Sequence, residues 1–200
     1  MKKVLPIMVL FTAAVLTTML LNGCEKTVAV ETPTQKHLSS FLSLHNQFCE
    51  KKYASSDSLI VELQRAPKLK LAKDFEGVYE VLISNVSFAV SPEDDGCTTD
   101  VMLQVDGKQL FTFEDINKAL LASGYIETGK PVSLKDTGID QSELTIIEKK
   151  YISPTGEVTT LDFPLEKMDK YYMTLFTEKF TEAKQESKEQ VLKSLRMASF

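Results

Sequence analysis

Histidine is scarce in this 200-residue chain: only His37 and His45 occur, both in the same short stretch. That leaves few options for a His-centred mechanism. The sequence also lacks a G-x-S-x-G elbow for a serine nucleophile, an H-E-x-x-H or C-x-x-C ligand pair, and a glycine-rich phosphate loop. Hydrolysis by a Ser-His-Asp arrangement, zinc chemistry and nucleotide binding therefore have no motif to stand on, and no cofactor or metal is expected. Cysteine is scarce too, with three in all, Cys24, Cys49 and Cys97. Basic residues are outnumbered, 23 Lys and Arg against 28 Asp and Glu. An acidic balance argues against a nucleic-acid surface and permits a basic partner.

What is present begins with an address. Lys2 and Lys3 precede an uncharged apolar stretch from Val4 to Leu21, the pattern of a secretory signal. The stretch is also about as long as a membrane span, but Pro6, Thr12, Thr17 and Thr18 dilute it. Leu21-Asn22-Gly23-Cys24 resembles the lipobox of bacterial lipoproteins. The resemblance implies removal of residues 1–23, lipidation of Cys24 and anchoring to a membrane through several acyl chains, a firmer hold than one chain gives. Glu25 stands where Asp usually signals retention at the inner membrane, so the outer membrane is favoured for a protein facing the periplasm. Removing 23 of the 200 residues leaves 177, enough for one domain with a core. Residues 24–35 read as the lipidated N-terminus and a polar tether, and 36–200 as a single domain.

With Cys24 lipidated, Cys49 and Cys97 remain, an even pair in an oxidising compartment. A disulfide is the simplest reading, closing a loop worth roughly 4 kcal/mol in the chain-entropy model. The competing reading makes Cys49 a nucleophile with His45 one helical turn before it. It lacks a third, orienting group.

The periodicity predicts a helix from near Gln35, capped by Thr34, with Leu38, Phe41, Leu42, His45, Phe48, Cys49 and Lys52 on one face. His45 is expected to be simply a residue of that face. A second helix is capped near Ser55 and ends before Pro67. Val78 to Val90 reads as one or two strands, 91–96 as a turn, and Thr98 to Val105 as an alternating strand before the hairpin signal Asp106-Gly107. Thr112 and Asp115 form a capping box for a helix that Gly124 ends. A polar loop through Gly129-Lys130-Pro131 and Asp136 to Asp140 precedes two clear strands, Leu144 to Ile152 and Val158 to Phe163. Tyr171 to Phe176 suggests another strand, and Thr181 to Phe200 a charged C-terminal helix with a sparse apolar stripe. Helices and strands do not alternate regularly. The expected class is α+β, an antiparallel sheet with helices on one face.

Glu93, Asp94 and Asp95 precede Gly96 but lack calcium-loop spacing. They read as a solvated acidic turn and are the candidate binding residues for a basic protein partner. Gly77-Val78-Tyr79-Glu80, Phe88-Ala89-Val90-Ser91-Pro92, Gly96-Cys97-Thr98-Thr99-Asp100 and Tyr171-Tyr172-Met173-Thr174-Leu175 resemble segments of small proteobacterial envelope lipoproteins, some of which are immunity proteins against secreted effectors. That resemblance implies a non-enzymatic periplasmic inhibitor acting by occlusion. Ser123-Gly124-Tyr125-Ile126 departs from the S-G-x-x-Y loop of periplasmic lysozyme inhibitors. Two other functions stay open: a pilotin-like helper of envelope assembly using the last helix, and a carboxylate-based cell-wall hydrolase.

Overall fold

A computed structural model describes residues 32–106, 108–137, 143–165 and 172–179. The signal, Cys24, residues 25–31 of the tether and the expected C-terminal helix lie outside the described residues; 32–35, read as the end of the tether, instead cap and begin the first helix. Among those described, no helix is long and apolar enough to cross a membrane.

Helix α1 runs Pro33–His45 and starts earlier than expected. Thr32, not Thr34, is the N-cap: its hydroxyl accepts from the Gln35 N–H, the Gln35 side chain reaches back, and Pro33 fills the first turn. Proline is favoured there because the N–H it lacks would go unused. Thr34 instead donates to the Leu110 carbonyl, tying α1 to the segment before the third helix. After His45 the winding widens into a π-helical segment, Asn46–Lys52, which the heptad-like spacing did not signal. Helix α2 (Ser56–Arg65) follows a Ser55 cap, and α3 (Phe113–Ala122) follows the Thr112–Asp115 capping box. Both match expectation, as does Gly124 at positive φ beyond α3.

Eight strands form one antiparallel sheet: β1 (Lys70–Leu71), β2 (Tyr79–Ile83), β3 (Val86–Glu93), β4 (Gly96–Met102), β7 (Ile126–Thr137), β8 (Glu143–Ile152), β9 (Val158–Pro164) and β10 (Tyr172–Glu178). A separate hairpin of β5 (Gln104–Val105) and β6 (Lys108–Gln109) carries the Asp106 turn. The spatial order is β1-β2-β3-β4-β10-β9-β8-β7. Two meanders, each preceded by helical structure, thus join through their last strands. The seam pairs Cys97 with Thr177 and Val101 with Met173. Gly96 is required there, since a Cβ would run into the Thr177 carbonyl oxygen and the Phe176 ring.

The α+β class with an antiparallel sheet is as expected; two local readings are corrected. The 91–96 turn is mostly strand: β3 continues through Glu93, and only Asp94 and Asp95 turn. Pro92 is tolerated in that strand opposite Cys97. The polar loop after α3 is strand β7 as far as Thr137, with a register shift between Thr128 and Val132 around Gly129-Lys130-Pro131, and 138–140 lie outside the described residues. β7 is an edge strand, where proline, lysine and bulges are accommodated. Of the one or two strands expected from Val78 to Val90 there are two, β2 and β3, divided by Ser84 and Asn85, both at positive φ, as a two-residue hairpin turn demands.

The helices cover one sheet face. Inward alternation places Phe88, Val101, Leu161, Phe163, Met173 and Leu175 with Phe41, Ile116 and Leu120 in the main core. A second cluster beneath α2 holds Phe48, Leu59, Leu63, Tyr79 and Val90 around Cys49 and Cys97.

Candidate functional site

The seam between the meanders holds a polar cluster where hydrophobic residues would be ordinary. Thr99, Thr159 and Thr177 occupy inward positions on β4, β9 and β10, with Thr177 opposite Thr159 in register. Thr177 and Thr159 hydroxyls are 2.8 Å apart. His45, fully buried at the end of α1, places Nδ1 3.0 Å from Thr99 Oγ1 and Nε2 2.8 Å from Thr177 Oγ1. Thr177 donates to Glu50 Oε1 at 2.9 Å, and Thr155 from the β8–β9 turn donates to Glu50 Oε2. The Lys179 ammonium donates to the Glu50 carbonyl at 3.4 Å.

The π-winding explains how His45 and Glu50 come together. On an α-helix, residues five apart point about 140° away from each other. In a π-helix the backbone bond runs from i to i+5, so residues five apart stack. His45 Nε2 and Glu50 Oε1 lie 3.6 Å apart, both side chains fully enclosed. The same widening lets Phe48, Cys49 and Glu50, three consecutive residues, all be buried.

Electrostatics follow from the donor count. Burial alone would push the Glu50 carboxyl up; the adjoining His45 imidazole, the hydrogen bond from Thr155 and the nearby positive charge of Lys179 outweigh it and hold it at about 2. Burial lowers the His45 pKa against the opposing pull of Glu50. The consistent proton arrangement is a neutral imidazole whose Nε2–H donates to Thr177 while Thr99 donates to Nδ1. Burial first, and then Glu50, keep the Tyr125 phenol protonated. The cluster's inner members, His45, Glu50, Thr99, Thr159 and Thr177, are internally satisfied and closed to solvent. The cluster builds structure.

Cys49 is bonded to Cys97, with Cα atoms 5.2 Å apart, as the cysteine count predicted. The nucleophile reading of Cys49 is thereby displaced. His45 is not merely a helix-face residue, since both ring nitrogens are engaged in the core. Glu50 went unnoticed because only the π-register aligns it with His45. The three threonines did leave a signal: Thr99 interrupts the apolar inward alternation Cys97, Thr99, Val101, while Thr159 begins and Thr177 ends one.

The opposite sheet face carries carboxylates of the other kind. Asp100, Thr174 and Asp162 lie side by side on β4, β10 and β9, and Glu148 on β8 is next in the row. Thr174 donates to Asp100 at 2.6 Å. Asp162 Oδ1 is buried without a hydrogen-bond partner. Burial, and secondarily Glu93, push Asp100 to about 6. Burial, then Glu148 and Asp136, push Asp162 to about 6.

The sequence-nominated Glu93, Asp94 and Asp95 sit at the tip of the β3–β4 hairpin and are exposed. Tyr53, the residue after the π-segment, donates to the Glu93 carbonyl at 2.9 Å, and the Lys179 N–H donates to the Asp95 carbonyl at 2.7 Å. Burial and the charges of Asp94 and Asp95 raise the Glu93 carboxyl. The turn is therefore anchored by its backbone and presents its charges outward. Among the described residues, no three His, Cys, Asp or Glu side chains gather as a metal ion would need. Cys24, the expected lipidation residue, lies outside the described residues. Comparisons with protein-family models, curated proteins and solved structures return no match.

Proposed function

We propose that this chain is a lipid-anchored periplasmic binding protein, held through Cys24 and favouring the outer membrane, that occludes a basic protein partner such as a secreted envelope-acting effector. One observation carries the binding part: the acidic Glu93–Asp95 turn is fixed to the body through Tyr53, Lys179 and the neighbouring Cys97 bridge while its side chains face outward. A rigid, preordered acidic tip steers and docks a basic cleft at low entropic cost. The side chains that would first be nominated for catalysis, His45 and Cys49, are both occupied by structural bonds. The address rests on Leu21-Asn22-Gly23-Cys24. The immunity role rests on the family resemblance.

Crosslinking in the native host, detergent extraction and mass spectrometry test this reading. A stoichiometric basic secreted protein, captured by the natural chain and lost from a Glu93→Lys/Asp94→Lys/Asp95→Lys variant, is the expected result. Capture of a secretin or other envelope machine would favour the assembly-helper reading instead.

A hydrolase is the second reading, favoured by one observation. Asp100 and Asp162 flank Thr174 one strand apart on each side, so their backbones lie about 10 Å apart with both carboxyls on the same sheet face, the kind of pairing carboxylate hydrolysis uses. Groups near 6 are suited to acid–base work. Turnover of purified peptidoglycan, abolished by Asp100→Asn and Asp162→Asn singly, is what that reading requires.

A further inference from the structure

The π-segment is an expensive way to build seven residues, because π-winding is rare and survives only where the surroundings hold it. Two devices hold this one. Cys49 is bonded to Cys97 at the start of β4, and Glu50 is gripped by Thr155 and Thr177. The adjoining links all lead to the acidic hairpin. Cys97 lies two residues beyond Asp95. Tyr53, which ends the π-segment, donates to the Glu93 carbonyl, and Lys179 contacts Glu50 through its ammonium and Asp95 through its backbone N–H.

We infer that the Cys49–Cys97 disulfide is a redox lock on the π-segment, and that its oxidation state sets the position of the Glu93–Asp95 turn. An external dithiol would reduce the bridge by exchange: its two thiols become a disulfide, and Cys49 and Cys97 each leave as a thiol. Freed of the bond to β4, residues 46–52 can rewind toward the commoner α-helical register. That rotates Glu50 out of line with His45, releases Thr155 of the β8–β9 turn, and draws Tyr53 from Glu93. The tip is then presented in its docked form only where the bridge is oxidised, as it is outside the cytoplasm. The consequence for partner binding rests on the proposed reading of the acidic turn. The lock itself does not.

Hydrogen exchange followed by mass spectrometry, on the whole chain with and without dithiothreitol, tests the lock apart from any partner. Reduction is expected to speed exchange at least tenfold in 46–53, 93–97 and 153–157, leaving α3 and the β7–β8 pair unchanged. A Cys49→Ala/Cys97→Ala chain should show the loosened pattern without reductant and respond no further to it. An oxidised Glu50→Gln chain should loosen 153–157 while 46–53 stays protected. Equal acceleration everywhere, no acceleration, or loss of protection in 46–53 of oxidised Glu50→Gln would each overturn the inference. Should the lock hold while reduction leaves partner capture intact, the acidic turn as contact surface fails and the lock stands.

Discussion

Glu50 and the pair Asp100 and Asp162 are the same chemical group on the two faces of one sheet, and the protein moves them in opposite directions. Glu50, on the helix-covered face, accepts from Thr177 and Thr155 and lies beside His45 and Lys179; it stays ionised to about 2. Asp100 and Asp162, on the other face, have one threonine between them and acidic neighbours, and rise to about 6. Burial raises all three. What differs is the supply of donors and positive charge. A buried carboxylate with its partners in place becomes a fixed structural joint, whereas one without them keeps a proton affinity that a partner or substrate can use.

Removing the satisfied side should cost most. Glu50→Ala takes away the acceptor of the buried Thr177 hydroxyl and that of Thr155, and is expected to lose about 3–4 kcal/mol in chemical denaturation. Gly96→Ala attacks the seam both faces share, forcing a Cβ against the Thr177 carbonyl and the Phe176 ring, for a loss of about 2–3 kcal/mol.

The unsatisfied side should respond with the opposite sign. A folded pKa raised above its unfolded value gives stability that is full below the unfolded value, 3.8, and lost as pH rises through about 6. Asp100→Asn/Asp162→Asn should therefore stabilise at pH 7.5 by roughly 2 kcal/mol, discounted for solvent screening at the less buried Asp162, and have almost no such effect near pH 3.5. For Glu50 the sign reverses, with stability present above 4.5 and lost as pH falls through about 2. Thermal melts across pH should show both limbs, and only the neutral limb should flatten in the double variant. The smallest expected effect is Thr159→Val, which removes one donor to Thr177 and should cost about 1 kcal/mol by the same denaturation assay.

The sequence disclosed this contrast only in part. Capping residues marked α2 and α3, and β-branched alternation marked β4, β8 and β9, because those signals are local. The Cys49–Cys97 bridge followed from counting the cysteines and from the expected oxidising compartment. The exposed acidic turn is where the residues Glu93 to Asp95 suggest it, though Ser91 and Pro92 obscured how far β3 runs. β7 looked like a loop because an edge strand tolerates proline and polar side chains. The His45–Glu50 alignment needed a π-register that tertiary contacts impose and no local residue pattern announces. The Asp100, Thr174, Asp162 row depends on pairing β4 with β10, strands more than seventy positions apart.

A carbon-13 NMR titration of the side-chain carboxyls tests the central contrast most directly. The account predicts that Glu50 remains ionised until about pH 2 while Asp100 and Asp162 titrate around 6. Glu50 taking up its proton at 4.5 or above, or both aspartates titrating near 3.8, would contradict it.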